Sequence, residues 1–184
     1  TGEISIEVID ATTVCVDMGV PNLSPEALPF ITEQAPCLNQ NSFLVAHALG
    51  ESELNLVSMG NPHAVMLVDD TDNANVDILG PLLESHTSFP DRVNVGFMQI
   101  VSPDHIRLRV FERGVGETRA CGTGACAAMA IGRRWGVLGD RATVDRATVA
   151  TRPSSQSRRG RLPRPGSQRS SVRHHSSTDL ASPL

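Results

Sequence analysis

The feature that most constrains this chain is a cysteine directly before a Gly-Thr-Gly turn that opens an alanine-rich segment. Cys121 precedes Gly122-Thr123-Gly124, and small or apolar residues follow. This pattern predicts a helix over 123–136 that is apolar on nearly all sides and therefore buried. Glycines at 136 and 139 are placed to end it.

A thiol at the start of a helix is placed for base chemistry. The aligned peptide dipoles and free amides there lower a thiol pKa and so favour the thiolate. The amides of Gly122, Thr123 and Gly124 can hold a carboxylate, because glycine lets the backbone approach a ligand closely. These groups would allow Cys121 to remove the α-proton of an amino acid without a cofactor. The alternative is a small buried cysteine beside a capping turn, and this tetrapeptide alone does not decide between the two.

Most of the remaining chain alternates in the manner of strands. Polar and apolar residues alternate over 3–9, which predicts a half-buried strand with a second at 12–18. The proline-rich residues 20–41 are predicted to be a connection with a short helical turn at most. Apolar runs then predict five strands, one helix containing Pro81 and the start of a sixth strand: strands 42–49, 54–59, 63–68, 92–101 and 105–112, helix 76–86, and strand 141–150.

Charge divides the chain at about residue 150. Residues 1–150 have a net charge of −10, whereas residues 151–184 have a net charge of +6 from seven Arg and one Asp. The acidic part is a poor nucleic-acid binder. The basic part is rich in Ser, Arg and Pro and has no apolar periodicity, so we predict that it is disordered. We interpret it as an out-of-frame or unrelated extension rather than a nucleic-acid-binding tail.

The cysteine spacing and hydropathy are typical of a cytoplasmic enzyme. The four cysteines form no Cys-x-x-Cys pair and no dense secreted pattern, so we expect reduced thiols. No apolar run approaches the ~20 residues of a membrane span, and no signal peptide is visible. Because the chain starts at Thr1 rather than Met, we expect it to be a fragment.

Three further polar groups stand where predicted strands end. Asn61 lies within a Gly-Asn-Pro turn that His63 follows, Asn94 interrupts an apolar strand, and Glu112-Arg113 ends another. Each has a structural alternative. Gly-Asn-Pro is a good turn, and His63 could be a satisfied core histidine. A buried Asn94 could find its hydrogen-bond partners in a turn or bulge, and Glu112 and Arg113 could be a surface pair.

Together these segments resemble the diaminopimelate epimerase family. The resemblance rests on five motifs in order: Ser58-Met59-Gly60-Asn61-Pro62-His63, Leu79-Gly80-Pro81-Leu82-Leu83-Glu84-Ser85-His86, Val93-Asn94-Val95-Gly96-Phe97-Met98-Gln99, Glu112-Arg113-Gly114, and the run to Cys126. It covers about residues 1–146 and corresponds to the C-terminal half of the enzyme. The resemblance implies an α+β fold of two similar halves, each a β-structure wrapped around a central buried helix, with the active site between them.

The resemblance also implies a mechanism and a set of residue roles. Two cysteines act without pyridoxal or another cofactor and without a metal: one removes the α-proton and the other delivers a proton to the opposite face. Cys121 matches the proton acceptor, and His63 and Glu112 match groups that tune thiol pKa values. The matched substrate-binding residues are Asn61, Asn94, Glu112, Arg113, Gly122 and Thr123. The implied substrate is LL-2,6-diaminopimelate, interconverted with its meso form for lysine and peptidoglycan, in a cytoplasmic and often homodimeric enzyme with no nucleic-acid or membrane partner.

The departures from the family determine the predicted domains. The family's N-terminal half carries a second cysteine in a Cys-Gly-Asn-Gly turn, which this sequence lacks, and Cys126 would face away from Cys121 on the same helix. We therefore assign 1–13 to a strand of the missing lobe, 14–150 to the C-terminal lobe and 151–184 to the tail. This chain alone is predicted to be inactive. The alternatives are a proline-racemase-like isomerase and a non-catalytic binding module whose Arg-rich tail contacts anions.

Overall fold

A computed structural model describes residues 5–11, 13–39, 41–119 and 121–146 of the 184-residue chain. The chain divides into two units, 1–150 and 151–184, and every described residue belongs to the first. The predicted disorder of 151–184 therefore lies outside the described residues. No helix in the described ranges is long and apolar enough to cross a membrane.

The described unit contains ten strands and two α-helices in a mixed order. The strands are β1 Ser5–Val8, β2 Val14–Asp17, β3 Cys37–Asn39, β4 Ser42–His47, β5 Gly50–Ser58, β6 Pro62–Leu67, β7 Asn94–Ser102, β8 His105–Glu112, β9 Gly116–Thr118 and β10 Thr143–Arg146. The helices are α1 Val76–Glu84 and α2 Gly122–Arg134. Two single 3₁₀ turns, Pro25–Ala27 and Thr32–Gln34, interrupt the predicted connection.

One mixed sheet organises this unit. Its strand order is β10-β8-β7-β6-β5-β4-β3, and β9 also pairs with β8. The connection from β6 to β7 passes through α1, so these two strands are parallel, as a helical crossover requires. Tight turns join β4 to β5, β5 to β6 and β7 to β8, and those pairs are antiparallel. The predicted α+β class is confirmed.

The two helices belong to different apolar clusters of the sheet. Along β7, Val95 and Phe97 pack in the cluster that contains α1, whereas Met98 packs in the cluster that contains α2. Successive side chains of a strand point to opposite faces, so one helix covers each face. The central strand β7 is accordingly buried over its first five residues.

The helix α2 confirms the predicted segment but is buried on one side only. Its inner side consists of Gly124, Ala127, Ala128, Ile131 and Gly132. The other side is half-buried and lines a groove of about 590 Å³ against residues 16–21 and 140–144. The all-round burial expected from the small residues is therefore not reached in this chain. The helix ends at Arg134, and Gly136 follows its C-cap Trp135 with a φ of +71°, as the predicted terminating glycine.

The strands β1 and β2 form a separate two-stranded antiparallel sheet. Their register places Ile6 opposite Val16 and Val8 opposite Val14, so all four share one face. Ile6, Val8 and Val14 are more than half exposed. The predicted boundary between 13 and 14 falls inside this hairpin, and the assignment of 1–13 to another lobe stays a prediction.

Three strands differ from the sequence predictions. The strand β3, Cys37–Asn39, lies within residues 20–41, which were predicted to be a connection with a short helical turn at most. The strand predicted to begin at residue 54 begins at Gly50, because Glu51, Ser52 and Glu53 continue the ladder with β4. The strand β9 was missed, since three residues are too few to show an alternation.

Candidate active site

The site residues meet at one edge of the sheet because of its topology. The parallel strands β6 and β7 begin at the same edge, and the antiparallel neighbour β8 ends there. His63 pairs with Asn94 in the ladder, and Glu112 closes β8. The N-terminus of α2 reaches this edge through a hydrogen bond between Asn61 and Thr123. The structure thus gathers all eight predicted site residues: Asn61, His63, Asn94, Glu112, Arg113, Cys121, Gly122 and Thr123.

Cys121 is the N-cap residue of α2. Its backbone is extended, and its Sγ accepts a hydrogen bond from the amide of Gly124 at 3.3 Å. A Cβ atom at position 124 would lie 3.1 Å from that sulfur and 3.0 Å from a methyl of Val110. Glycine at 124 therefore lets the sulfur approach the helix amides closely.

A chain of hydrogen bonds runs from His63 to the sulfur. The Nε2 of His63 lies 3.2 Å from Oδ1 of Asn61, and Nδ2 of Asn61 donates to Oγ1 of Thr123 at 3.4 Å. That hydroxyl lies 3.6 Å from Sγ of Cys121. If each group donates to the next, both the hydroxyl and the amide of Gly124 donate to the sulfur. Donors aimed at a sulfur stabilise its thiolate form.

The thiol of Cys121 nevertheless has a raised pKa. Burial is the main cause, because it disfavours the charged thiolate. The hydrogen bonds from Thr123 and Gly124 lower the pKa in part, and the carboxylate of Glu112 raises it further. The lowered pKa predicted from the helix start is therefore wrong for this chain. The influence of Glu112 on the pKa of this thiol is upward.

His63 is neutral near pH 7 and has no charge with which to act on the thiol. It is 1% exposed, and burial together with the positive charge of Arg113 lowers its pKa to about 4. Its connection to Cys121 is the hydrogen-bond chain described above. His63 is thus both a satisfied core histidine and a member of the site.

Asn94 ties two site segments together. Its Nδ2 donates to the carbonyl of Pro62 at 2.9 Å, and its Oδ1 accepts from the amide of Arg113 at 2.9 Å. The buried side-chain amide of Asn94 thus has two backbone partners, as the structural alternative for this residue requires. Glu112 accepts a hydrogen bond from the hydroxyl of Thr118 on β9.

These motifs match a known family. The profile described as Diaminopimelate epimerase matches residues 55–152, which is just over half of the chain. The chain belongs to the diaminopimelate epimerase family. The matched range contains every residue of the site, from Asn61 to Thr123, and it excludes β1–β4.

The three other cysteines are all among the described residues. Cys15 and Cys37 are exposed, and they lie on the strands β2 and β3. Cys126 is half-buried on α2 and lines the groove of that helix, and burial followed by the influence of Cys121 raises its pKa. No group of three or more potential metal-ligating side chains is found among the described residues.

Two residues that support the site were missed in the sequence. Arg109 pairs in bidentate fashion with Glu117 at 2.6 and 2.8 Å, which fastens β9 to β8. Glu84, at the end of α1, accepts from the amide of Gly114 at 2.7 Å. The position of Glu84 in the last turn of the predicted helix could have indicated this role. A carboxylate there is opposed by the helix dipole and needs a hydrogen-bond partner.

Proposed function

We propose that this chain carries one half of a diaminopimelate epimerase site, with Cys121 as one of two proton-transferring thiols. The substrate would be LL-2,6-diaminopimelate, interconverted with the meso form without a cofactor. The observation that supports this most strongly is the convergence of all eight motif residues at the start of α2. The family membership of the chain supports the reaction class.

In this proposal one residue acts as the base and the others bind the anionic groups of the substrate. Cys121 as thiolate would take the α-proton, and the electron pair of the broken C–H bond would pass into the substrate carboxylate. The amides of Gly122 and Thr123 lie at the positive end of α2, where they would stabilise that developing charge. Arg113 would supply a cation for a substrate carboxylate. A thiol on the opposite side of the α-carbon would then return a proton.

The raised pKa of Cys121 fits a site that is completed by its substrate. An α-ammonium group beside the sulfur brings a positive charge, and an opposite charge within about 4–6 Å favours the ionised form. The hydrogen bonds from Thr123 and Gly124 are already in place to hold the thiolate. The thiolate would therefore form when the amino acid binds.

A single thiol supplies only one of the two proton-transferring groups that the reaction needs. Cys15 and Cys37 are exposed on β2 and β3, and Cys126 follows Cys121 on the same helix, so we expect none of them to stand opposite Cys121 across a substrate. We therefore propose that the isolated chain does not turn over diaminopimelate. Activity would require a second lobe that carries the partner cysteine.

The experiment is α-proton exchange in deuterated water, followed by NMR. The chain alone is expected to leave the α-proton of LL-diaminopimelate in place. The chain joined to an N-terminal lobe of the same family is expected to exchange and epimerise it, and to leave L-proline unchanged. Turnover by the isolated chain, or a preference for proline, would contradict the proposal.

A further inference from the structure

The turn 113–115 carries the predicted substrate-binding Arg113, and two buried side chains hold its backbone. The amide of Arg113 donates to Oδ1 of Asn94 at 2.9 Å, and the next amide, that of Gly114, donates to Oε1 of Glu84 at 2.7 Å. Successive amides are thus fixed from two different elements, β7 and α1. The family resemblance implies a role for Asn94 and none for Glu84.

Glu84 is an unusual residue for its position. It is 5% exposed, and carboxylates are rarely buried without a partner. It is also the last residue of α1, where a negative charge is opposed by the helix dipole. Solubility and helix stability therefore do not explain a carboxylate here. A need to accept hydrogen bonds at this point does explain it.

Glu84 contacts both segments that frame the site. Its carboxylate accepts from Gly114 and pairs with Arg92 at 3.4 Å, and its backbone carbonyl accepts from Val93 at 3.1 Å. Arg92 has a φ of +61°, in the left-handed region that non-glycine residues rarely adopt. Asn94 follows two residues later. Glu84 therefore connects residues 92 and 93, which precede Asn94, with the turn that carries Arg113.

We propose that Glu84 is a positioning residue that holds the turn 113–115, and with it Glu112 and Arg113, in place beside Cys121. This proposal rests on the proposed function for the meaning of the site, because only there do Glu112 and Arg113 meet a substrate. The carboxylate of Glu84 contacts Gly114 and Arg92 rather than Cys121. It therefore acts through the backbone of the turn.

The test uses the thiol of Cys121 as a reporter and needs no turnover. In a chain that carries Cys15→Ser, Cys37→Ser and Cys126→Ala, alkylation of the remaining thiol by iodoacetamide is measured against pH. Glu112 opposes ionisation of Cys121, so loosening the turn should weaken that influence. Glu84→Ala is expected to raise the alkylation rate at pH 7 roughly threefold. Glu84→Gln keeps an acceptor for Gly114 and should restore most of the original profile.

A double-mutant comparison separates positioning from general loosening. When Glu112→Gln is already present, Glu84→Ala should add no further increase, because the influence being released is absent. An unchanged or slower rate for Glu84→Ala in a folded chain, or an equal increase in both backgrounds, would overturn the proposal. These results would leave the proposed epimerase function open, since they do not depend on proton exchange with diaminopimelate.

A second measurement needs no substitution at Glu84. Hydrogen exchange of the unsubstituted chain should show a protected amide at Gly114, although this residue is exposed in a turn. Exchange of that amide at the rate of an unstructured peptide would overturn the proposal, even if the Glu84→Ala variant failed to fold.

Discussion

The hydroxyl of Thr123 offers the sharpest test of what sets the pKa of the Cys121 thiol. Its hydroxyl lies 3.6 Å from Sγ of Cys121 and lowers the pKa of that thiol. Thr123→Val keeps the shape and β-branching and removes the donor, so the pKa of Cys121 should rise. The thiolate fraction at pH 7 should fall accordingly, and alkylation should become slower.

The size of this effect follows from the strength of the lost bond. Hydrogen bonds to charged groups contribute about 1.5–3 kcal/mol, and a long contact to sulfur in a half-buried site belongs below that range, at about 1 kcal/mol. An energy of about 1 kcal/mol corresponds to a roughly fivefold slower alkylation at pH 7.

The assay is iodoacetamide labelling of Cys121, read by mass spectrometry in a background without the other three cysteines. Thr123→Ser keeps the hydroxyl and is the matched control, with a rate close to that of the parent. A Thr123→Val chain that melts normally and is alkylated as fast as the parent would refute the hydrogen-bond argument.

Three further substitutions test the buried parts of the site. The pKa of His63 is about 4 in the folded chain and about 6.5 in the unfolded chain, so His63 makes the folded state less stable as the pH falls. In urea unfolding, the His63→Gln variant should lose about 2.5 kcal/mol less stability between pH 7.5 and 4.5 than the parent chain. The same loss in variant and parent would contradict this. Gly80→Ala places a methyl 2.5 Å from the ring of Phe111 and should lower Tm through about 1–2 kcal/mol of overpacking, with partial recovery when Phe111→Leu is added. Arg109→Ala leaves Glu117 without its bidentate partner and should cost about 3 kcal/mol in thermal unfolding, whereas the Arg109→Ala/Glu117→Ala pair should cost less.

Local sequence patterns were sufficient for most elements of the fold. The alternation of Ile106, Leu108 and Val110 predicted β8 with its observed ends, and the small residues after Cys121 predicted α2 to within two residues. The pattern failed where pairing decides the structure. Residues 116–118 form β9 because Glu117 pairs with Arg109 on the neighbouring strand, which is not visible in three residues of sequence.

The site shows the same division between local and non-local information. The motifs identified which residues meet, since each polar residue interrupts an apolar strand or opens a helix. They did not predict the direction of the Cys121 pKa, because that depends on burial and on Glu112, nine residues earlier. They also left out Glu84, whose partner Gly114 is thirty residues away. Hydrogen bonds between distant segments were the missing information.

The central claim is that the sulfur of residue 121 moves the α-proton of diaminopimelate. The most direct measurement is the rate of deuterium uptake at that carbon when this lobe is joined to a family N-terminal lobe, compared between the parent and Cys121→Ser. The serine variant is expected to fold and to bind diaminopimelate but to lose epimerisation by several orders of magnitude. Epimerisation at the parental rate with serine at 121 would contradict it.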